Sequence, residues 1–130
     1  MKNNILAIKT NDPTTEIYIL DNFGKTVVKK TWKPERRLSN ELLSEIEQLI
    51  DAKCDDLSGL IVFSGPGSFT GLRIGITTMN TLAYSLEIPI VGTNGENWAA
   101  DGIKRLNNNE NDRIVIPQYG AEPNISSPKK

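Results

Sequence analysis

The apolar positions of this chain fall into short runs near its start and into helical stripes further on. Ile5-Leu6-Ala7-Ile8 is a compact run stopped by Lys9 and the turn formers Asn11-Asp12-Pro13, the pattern of a short strand. From Thr15 to Leu20, Ile17 and Ile19 alternate with Tyr18 and Leu20, so a second strand shows two distinct faces. Asp21-Asn22-Phe23-Gly24 makes a turn, and Thr26 to Trp32 gives a third strand. Three strands joined by loops this short form an antiparallel meander, closed by polar Lys33 to Arg37 with Pro34.

The period then changes to that of helices. Ser39 is placed to cap a first helix with Glu41 in its first turn, and the helix ends near Lys53. Leu38, Leu42, Leu43, Ile46, Leu49 and Ile50 span an arc of roughly 140°, wide enough to touch a sheet and a neighbouring helix. Asp55 to Gly59 leads into Leu60-Ile61-Val62-Phe63, a buried strand, and the stretch SGPGSFTGLRIG from Ser64 to Gly75 turns the chain into a second helix, Phe69 to Leu86. That helix has a core stripe of Leu72, Ile76, Met79, Ala83 and Leu86. Beside it runs a row of mostly small residues, Gly71, Ile74, Gly75, Thr78, Leu82 and Ser85. A mid-helix glycine costs about 1 kcal/mol against alanine, a cost offset where a second helix comes close. That helix is either this chain's own first helix or one from another subunit.

Ile88-Pro89-Ile90-Val91-Gly92 reads as a further strand. A third helix, capped by Thr93 or Asn94 and weakened by Gly102, carries Trp98, Ala99, Ile103 and Leu106. Asn107 to Asp112 reads as a polar linker, Arg113 to Pro117 as one more short strand, and Tyr119 to Lys130 as an extended tail. The domain expected is therefore a lobe over 1–106 followed by linker and tail over 107–130. Its order, βββ-α-β-α-β-α, predicts an α/β mixed sheet of the ribonuclease H type.

Composition narrows the chemistry. The 130 residues include no histidine and one cysteine, Cys54, which disfavours zinc sites and a histidine general base and suits Cys54 as a packed side chain in a reducing cytoplasm. No apolar run approaches the length of a membrane span. A formal net charge of −1 gives no global field toward nucleic acid. No basic run is longer than Lys29-Lys30, Arg36-Arg37 or Lys129-Lys130, and each pair reads as solvated surface charge.

The glycine-rich turn admits two uses, an anion cradle built from free backbone N–H groups or a hinge that lets elements pack closely. Gly65-x-Gly67 is followed by Thr70 where a dinucleotide fingerprint has glycine or alanine, and no Gly-Lys-Ser/Thr follows as in a Walker A loop. The Ser68 to Thr70 amides remain open to an anion, so a small nucleotide-binding enzyme stands as an alternative.

Gly65 to Gly75 resembles, without a break over eleven residues, the signature of the bacterial TsaB (YeaZ) family. Ile5 to Ile8, Leu42-Leu43 and Ile88 to Gly92 resemble it further, so the likeness covers about residues 4 to 106. It implies an actin-like, sugar-kinase-related lobe in a non-catalytic cytoplasmic scaffold of threonylcarbamoyladenosine synthesis on tRNA. It also implies pairing with the catalytic subunit TsaD through the first two helices, a TsaE ATPase joining that pair, self-association as another option, and at most weak or indirect contact with tRNA. No cofactor, metal or catalytic residue is expected.

On that reading the interface uses Leu42, Leu43, Ile46 and Ile50 with Gly71, Ile74, Gly75 and Thr78, and Gly65, Pro66, Gly67 and Ser68 form the turn that aims the second helix. Gly75→Leu is then expected to block docking while leaving the fold largely intact. Three departures stand out. Lys9-Thr10 replaces the family's Asp-Thr, removing a carboxylate that helps kinase relatives hold a metal-bound phosphate; Leu38 replaces a histidine; and the family's second lobe is expected to be absent, with Pro117-Gln118-Tyr119 resembling a Pro-x-Tyr near the family's end.

Overall fold

A computed structural model describes residues 4–34, 37–53, 57–67 and 69–118, without the side chains at 50–53 and 69. Cys54, Ser68 and the tail expected from Tyr119 onward lie outside the described residues, as does the side chain of Ile50.

The meander is β1 (Asn4–Lys9), β2 (Thr15–Leu20) and β3 (Thr26–Trp32), followed by α1 (Leu38–Lys53), β4 (Leu57–Phe63), α2 (Phe69–Leu86), β5 (Ile90–Thr93) and α3 (Trp98–Asn107). One five-stranded sheet runs in the order β3-β2-β1-β4-β5. β1 to β3 pair antiparallel, while β4 and β5 add in parallel, each after a helical crossover, because a parallel neighbour cannot be reached by a tight turn. This is the mixed sheet of the ribonuclease H type.

Register and pleat decide which helix covers which face. Lys30 pairs with Ile17, Ile17 with Ile8 and Ile8 with Val62, so these four share a face. Lys30 Nζ lies 2.5 Å from Glu45 of α1, and Trp32 Nε1, two residues along, donates to Glu41 Oε1 at 3.0 Å. α1 therefore covers this face, and α2 packs against it there. Ile61 points the opposite way and meets α3, since a Cβ built on Gly102 would lie 2.6 Å from Ile61. Gly102 is thus where α3 touches the sheet, rather than a weak point in the helix.

The core stripe of α2 is buried at Leu72, Ile76, Met79 and Ala83, with α1 adding Leu42 and Ile46. Truncating a side chain such as Leu72 to alanine is expected to cost about 2–5 kcal/mol.

Several boundaries differ from expectation, each for a local reason. α1 begins at Leu38, and the Arg37 carbonyl accepts from the N–H groups of Asn40 and Glu41, so Ser39 sits inside the first turn instead of capping it. α3 is preceded by Asn97, which makes no side-chain cap bond, while Thr93 Oγ1 donates to the Trp98 carbonyl at 2.7 Å. Thr93 and Asn94 are therefore not the cap.

Residues 113–118 form no strand. They are held by side chains instead: Asn80 Oδ1 accepts from Val115 N at 2.9 Å, Asn80 Nδ2 donates to Val115 O at 3.0 Å, and Val115 is buried against Gly92. The expected linker is likewise tied down. Asn107 ends α3, Asn111 Oδ1 accepts from Ile90 N at 3.1 Å, and Asp112 Oδ2 accepts from Gly92 N at 2.8 Å. The free edge of β5 is thereby occupied, which removes a template for strand addition.

Candidate functional site

The turn after β4 is fastened at both ends. Ser64 donates to the Thr93 carbonyl through its N–H at 2.7 Å and its hydroxyl at 3.1 Å, and its own carbonyl accepts from Gln118 N at 2.7 Å. Gly65 has φ +134°, a region closed to most side chains, and a Cβ there would lie 1.9 Å from the Gln118 carbonyl oxygen. The Gly65-Pro66 peptide is cis.

The next two glycines meet the loop after β1. A Cβ on Gly67 would lie 2.3 Å from Asn11 Cβ, and one on Gly75 would lie 2.2 Å from Thr10 Oγ1. Polar bonds lock the same contact. Thr10 Oγ1 donates to the Gly71 carbonyl at 2.7 Å, and Asn11 Nδ2 donates to the Pro66 carbonyl at 3.3 Å. The space beside the motif is thus filled by Thr10 and Asn11. Of the anion-cradle alternative, Ser68 lies outside the described residues and Thr70 is exposed.

The interface residues read from the sequence separate into two groups. Leu42 and Ile46 are 0% and 1% exposed, and Gly75 is buried on Thr10, so these three belong to the chain's own interior. This corrects the expectation that they face a partner: an apolar arc of roughly 140° must point its middle at the sheet. Leu43, at the edge of that arc, is 50% exposed. Gly71, Ile74 and Thr78 are half-buried.

Ile74 and Thr78 line an open cavity of about 310 Å³ together with Ser39 of α1 and Thr70, Arg73 and Thr77 of α2. Arg73 makes contacts of its own. Ser39, Thr70, Arg73 and Thr77 were not among the interface residues read from the sequence. Their signal was positional, since each lies one helical turn or less from a predicted interface residue.

At the end of β1, Lys9 Nζ lies 3.3 Å from Asp12 and 3.8 Å from Glu16, and 5.1 Å from the centroid of the Phe63 ring. Beside it the Tyr18 hydroxyl donates to Glu16. Burial, then that bond and the Glu16 charge, push the Tyr18 phenol up to about 12. A cation held by two carboxylates thus stands at the end of β1, where the resemblance read from the sequence led to the expectation of an aspartate in relatives. Among the described residues no group of three His, Cys, Asp or Glu is placed to hold a metal ion.

Arg105 forms a second polar centre, donating to Gly92 O at 2.9 Å, Glu110 Oε1 at 2.7 Å and both carboxylate oxygens of Asp112. Burial alone would raise the Asp112 carboxyl, but the Arg105 guanidinium and the Gly92 N–H outweigh it and hold that carboxyl below its ordinary range.

With this geometry in hand, the match to known families is specific. The family model TsaD, tRNA N6-adenosine threonylcarbamoyltransferase, matches residues 32–111, which span α1 to α3 and the glycine-rich turn. The chain belongs to this TsaD-like family. Within the family it is similar to the TsaB branch. The tRNA threonylcarbamoyladenosine biosynthesis protein TsaB of Bacillus subtilis is 37% identical over 103 residues, covering 75% of this chain and 44% of that protein.

YeaZ from Pseudomonas aeruginosa superposes with a TM-score of 0.61 at 25% identity, over 72% of this chain and 44% of YeaZ. Lmo2764 of Listeria monocytogenes, described as an N-acetylmannosamine kinase, superposes with a TM-score of 0.53 at 17% identity over 76% of this chain and 40% of that one, a likeness of fold alone. The chain therefore spans less than half the length of the TsaB and YeaZ relatives it matches.

Proposed function

We propose that this chain is a non-catalytic subunit of the machinery that makes threonylcarbamoyladenosine on tRNA, docking on a TsaD-like catalytic subunit in the cytoplasm. The observation that carries this reading is the open groove between α1 and α2. Ile74 and Thr78 present apolar and small side chains there, Leu43 lies half-exposed one helical turn along α1 from the lining Ser39, and the glycines beside Ile74 are committed to the chain's own loop. Small residues let a partner helix approach closely, and the half-exposed Leu43 supplies apolar area at its margin.

The crowding of the glycine-rich turn by Thr10 and Asn11, and the paired Lys9 at the end of β1, weigh against the nucleotide-binding alternative. A TsaE-like ATPase joins through the assembled pair, and the same groove serves self-association when the catalytic subunit is absent.

Reconstituted threonylcarbamoyladenosine synthesis with and without this chain tests the role. Yield is expected to fall at least tenfold on omission, and an unchanged yield would overturn the assignment. Titration of the chain with ATP and magnesium tests the alternative, which submicromolar binding would favour.

A further inference from the structure

Residues 25–37 carry six of the fifteen lysines and arginines against a single acidic residue, a net +5 within thirteen residues of a chain whose formal net charge is −1. Along the sequence these are isolated residues and short pairs, but the fold lines them up. β3 is the outer strand on its side of the sheet, with Lys29 and Lys30 in it, Lys25 just before it, and Lys33 and Arg37 just after. All five are exposed. From Lys25 to Lys33 the track is roughly 25 Å long at the rise of a strand.

Alternation places Lys29 on one side of this edge, 5.8 Å from the Tyr18 ring centroid, and Lys30 on the other, beside Glu45. The track ends at a rigid turn. Asp21 Oδ1 accepts from the N–H groups of Phe23 and Lys25 at 2.9 and 2.8 Å, and Asn107 Nδ2 of α3 donates to the Asn22 carbonyl at 3.0 Å. That turn holds the Phe23 ring 87% exposed.

Edge lysines discourage a further protein strand, whereas a polyanion turns the same charges into attraction. The geometry points to this edge as a binding track for the phosphodiester backbone of a single-stranded nucleic acid, with Phe23 as the platform on which an unpaired base stacks. Backbone charge and one aromatic face bind without reading sequence. The track shares no residue with the α1–α2 groove, so it stands whether or not a catalytic subunit docks there.

Fluorescence anisotropy of the full chain with a labelled RNA hairpin bearing a single-stranded tail tests this, in parallel with DNA of the same sequence. Across about 50 to 200 mM salt, five phosphate contacts to a single strand give a log–log slope of about −3.5. Combining Lys25→Gln, Lys33→Gln and Arg37→Gln, which leaves the Lys29–Tyr18 and Lys30–Glu45 contacts in place, is expected to weaken binding at least tenfold at the lower salt and reduce the slope to about −1.4.

Phe23→Ala is expected to weaken binding of the tailed hairpin, keep the slope, and leave a fully paired duplex unaffected. RNA bound more tightly than DNA identifies RNA as the source, and equal binding leaves the shared backbone as the ligand; both support the track. Wild-type binding by the triple variant, absence of salt-dependent binding, or equal capture of polyglutamate or phosphatidylserine vesicles would overturn it. A circular-dichroism melt confirms that each variant is folded, and Lys29→Gln alone, expected to lower the slope by about 0.7, gives an independent second reading.

Discussion

On one flank of α2, Gly75 leaves 2.2 Å between the site of a Cβ and Thr10 Oγ1, and the Gly71 carbonyl accepts the Thr10 hydroxyl. On the other flank Ile74 and Thr78 line an open groove with Ser39 of α1. Adjacent positions of one helix thus hold opposite duties. The inner flank fixes the helix to the loop after β1, and the outer flank lines the open groove that we propose as the docking face. A row of small residues reads as one surface in sequence, yet its members answer to different neighbours because successive residues turn by 100°.

The largest effect that sharpens this contrast is expected at Gly75. Gly75→Leu forces a side chain into Thr10 and is expected to cost about 3 kcal/mol or more, seen as a lower urea midpoint or loss of soluble protein; Gly75→Ala should cost about 1–3 kcal/mol. This reverses the expectation that Gly75→Leu spares the fold. On the outer flank, Leu43→Asp with Thr78→Arg should leave the unfolding free energy from urea titration within about 0.5 kcal/mol of wild type. Calorimetry with a TsaD-like partner should show at least a tenfold loss of affinity for the same pair.

Thr10→Val keeps the shape but removes the hydroxyl bond to the Gly71 carbonyl, for an expected loss of about 1 kcal/mol by denaturant titration. The smallest effect lies at the far edge of the sheet. The Asp112 carboxyl is lowered from its ordinary 3.8 in the folded chain, so its contribution is full above that value and lost as pH falls through the folded one. Thermal melts should therefore fall more steeply below about pH 4 in wild type than in Asp112→Asn.

Much of the fold was legible in local pattern. The alternation at Ile17 to Leu20, the apolar run at Leu60 to Phe63 and the stripe from Leu72 to Ala83 each state their own period, and the sheet follows from their order. The glycine-rich turn was legible as a turn, but its contacts were not. Thr10 and Asn11 lie more than fifty residues before the glycines they meet, and no local spacing encodes such a contact.

The same holds for the last segment. Asn80, thirty-five residues away, binds the backbone of Val115 at both its N–H and its carbonyl, so a stretch that reads as a short strand is held without a ladder. Asp112, which reads as part of a polar linker, proves to close the edge of β5 together with Arg105. The residues expected at a partner interface divide by burial: Leu42, Ile46 and Gly75 are interior while Leu43 is half-exposed, because the width of an apolar arc does not say which margin stays exposed.

The division of duty across α2 is tested most directly by sedimentation of the chain mixed with a TsaD-like catalytic subunit, comparing wild type with the Leu43→Asp, Thr78→Arg variant after both have passed the same melting control. The account predicts a complex with wild type and separate species with the folded variant. A complex of equal stability with both would contradict it.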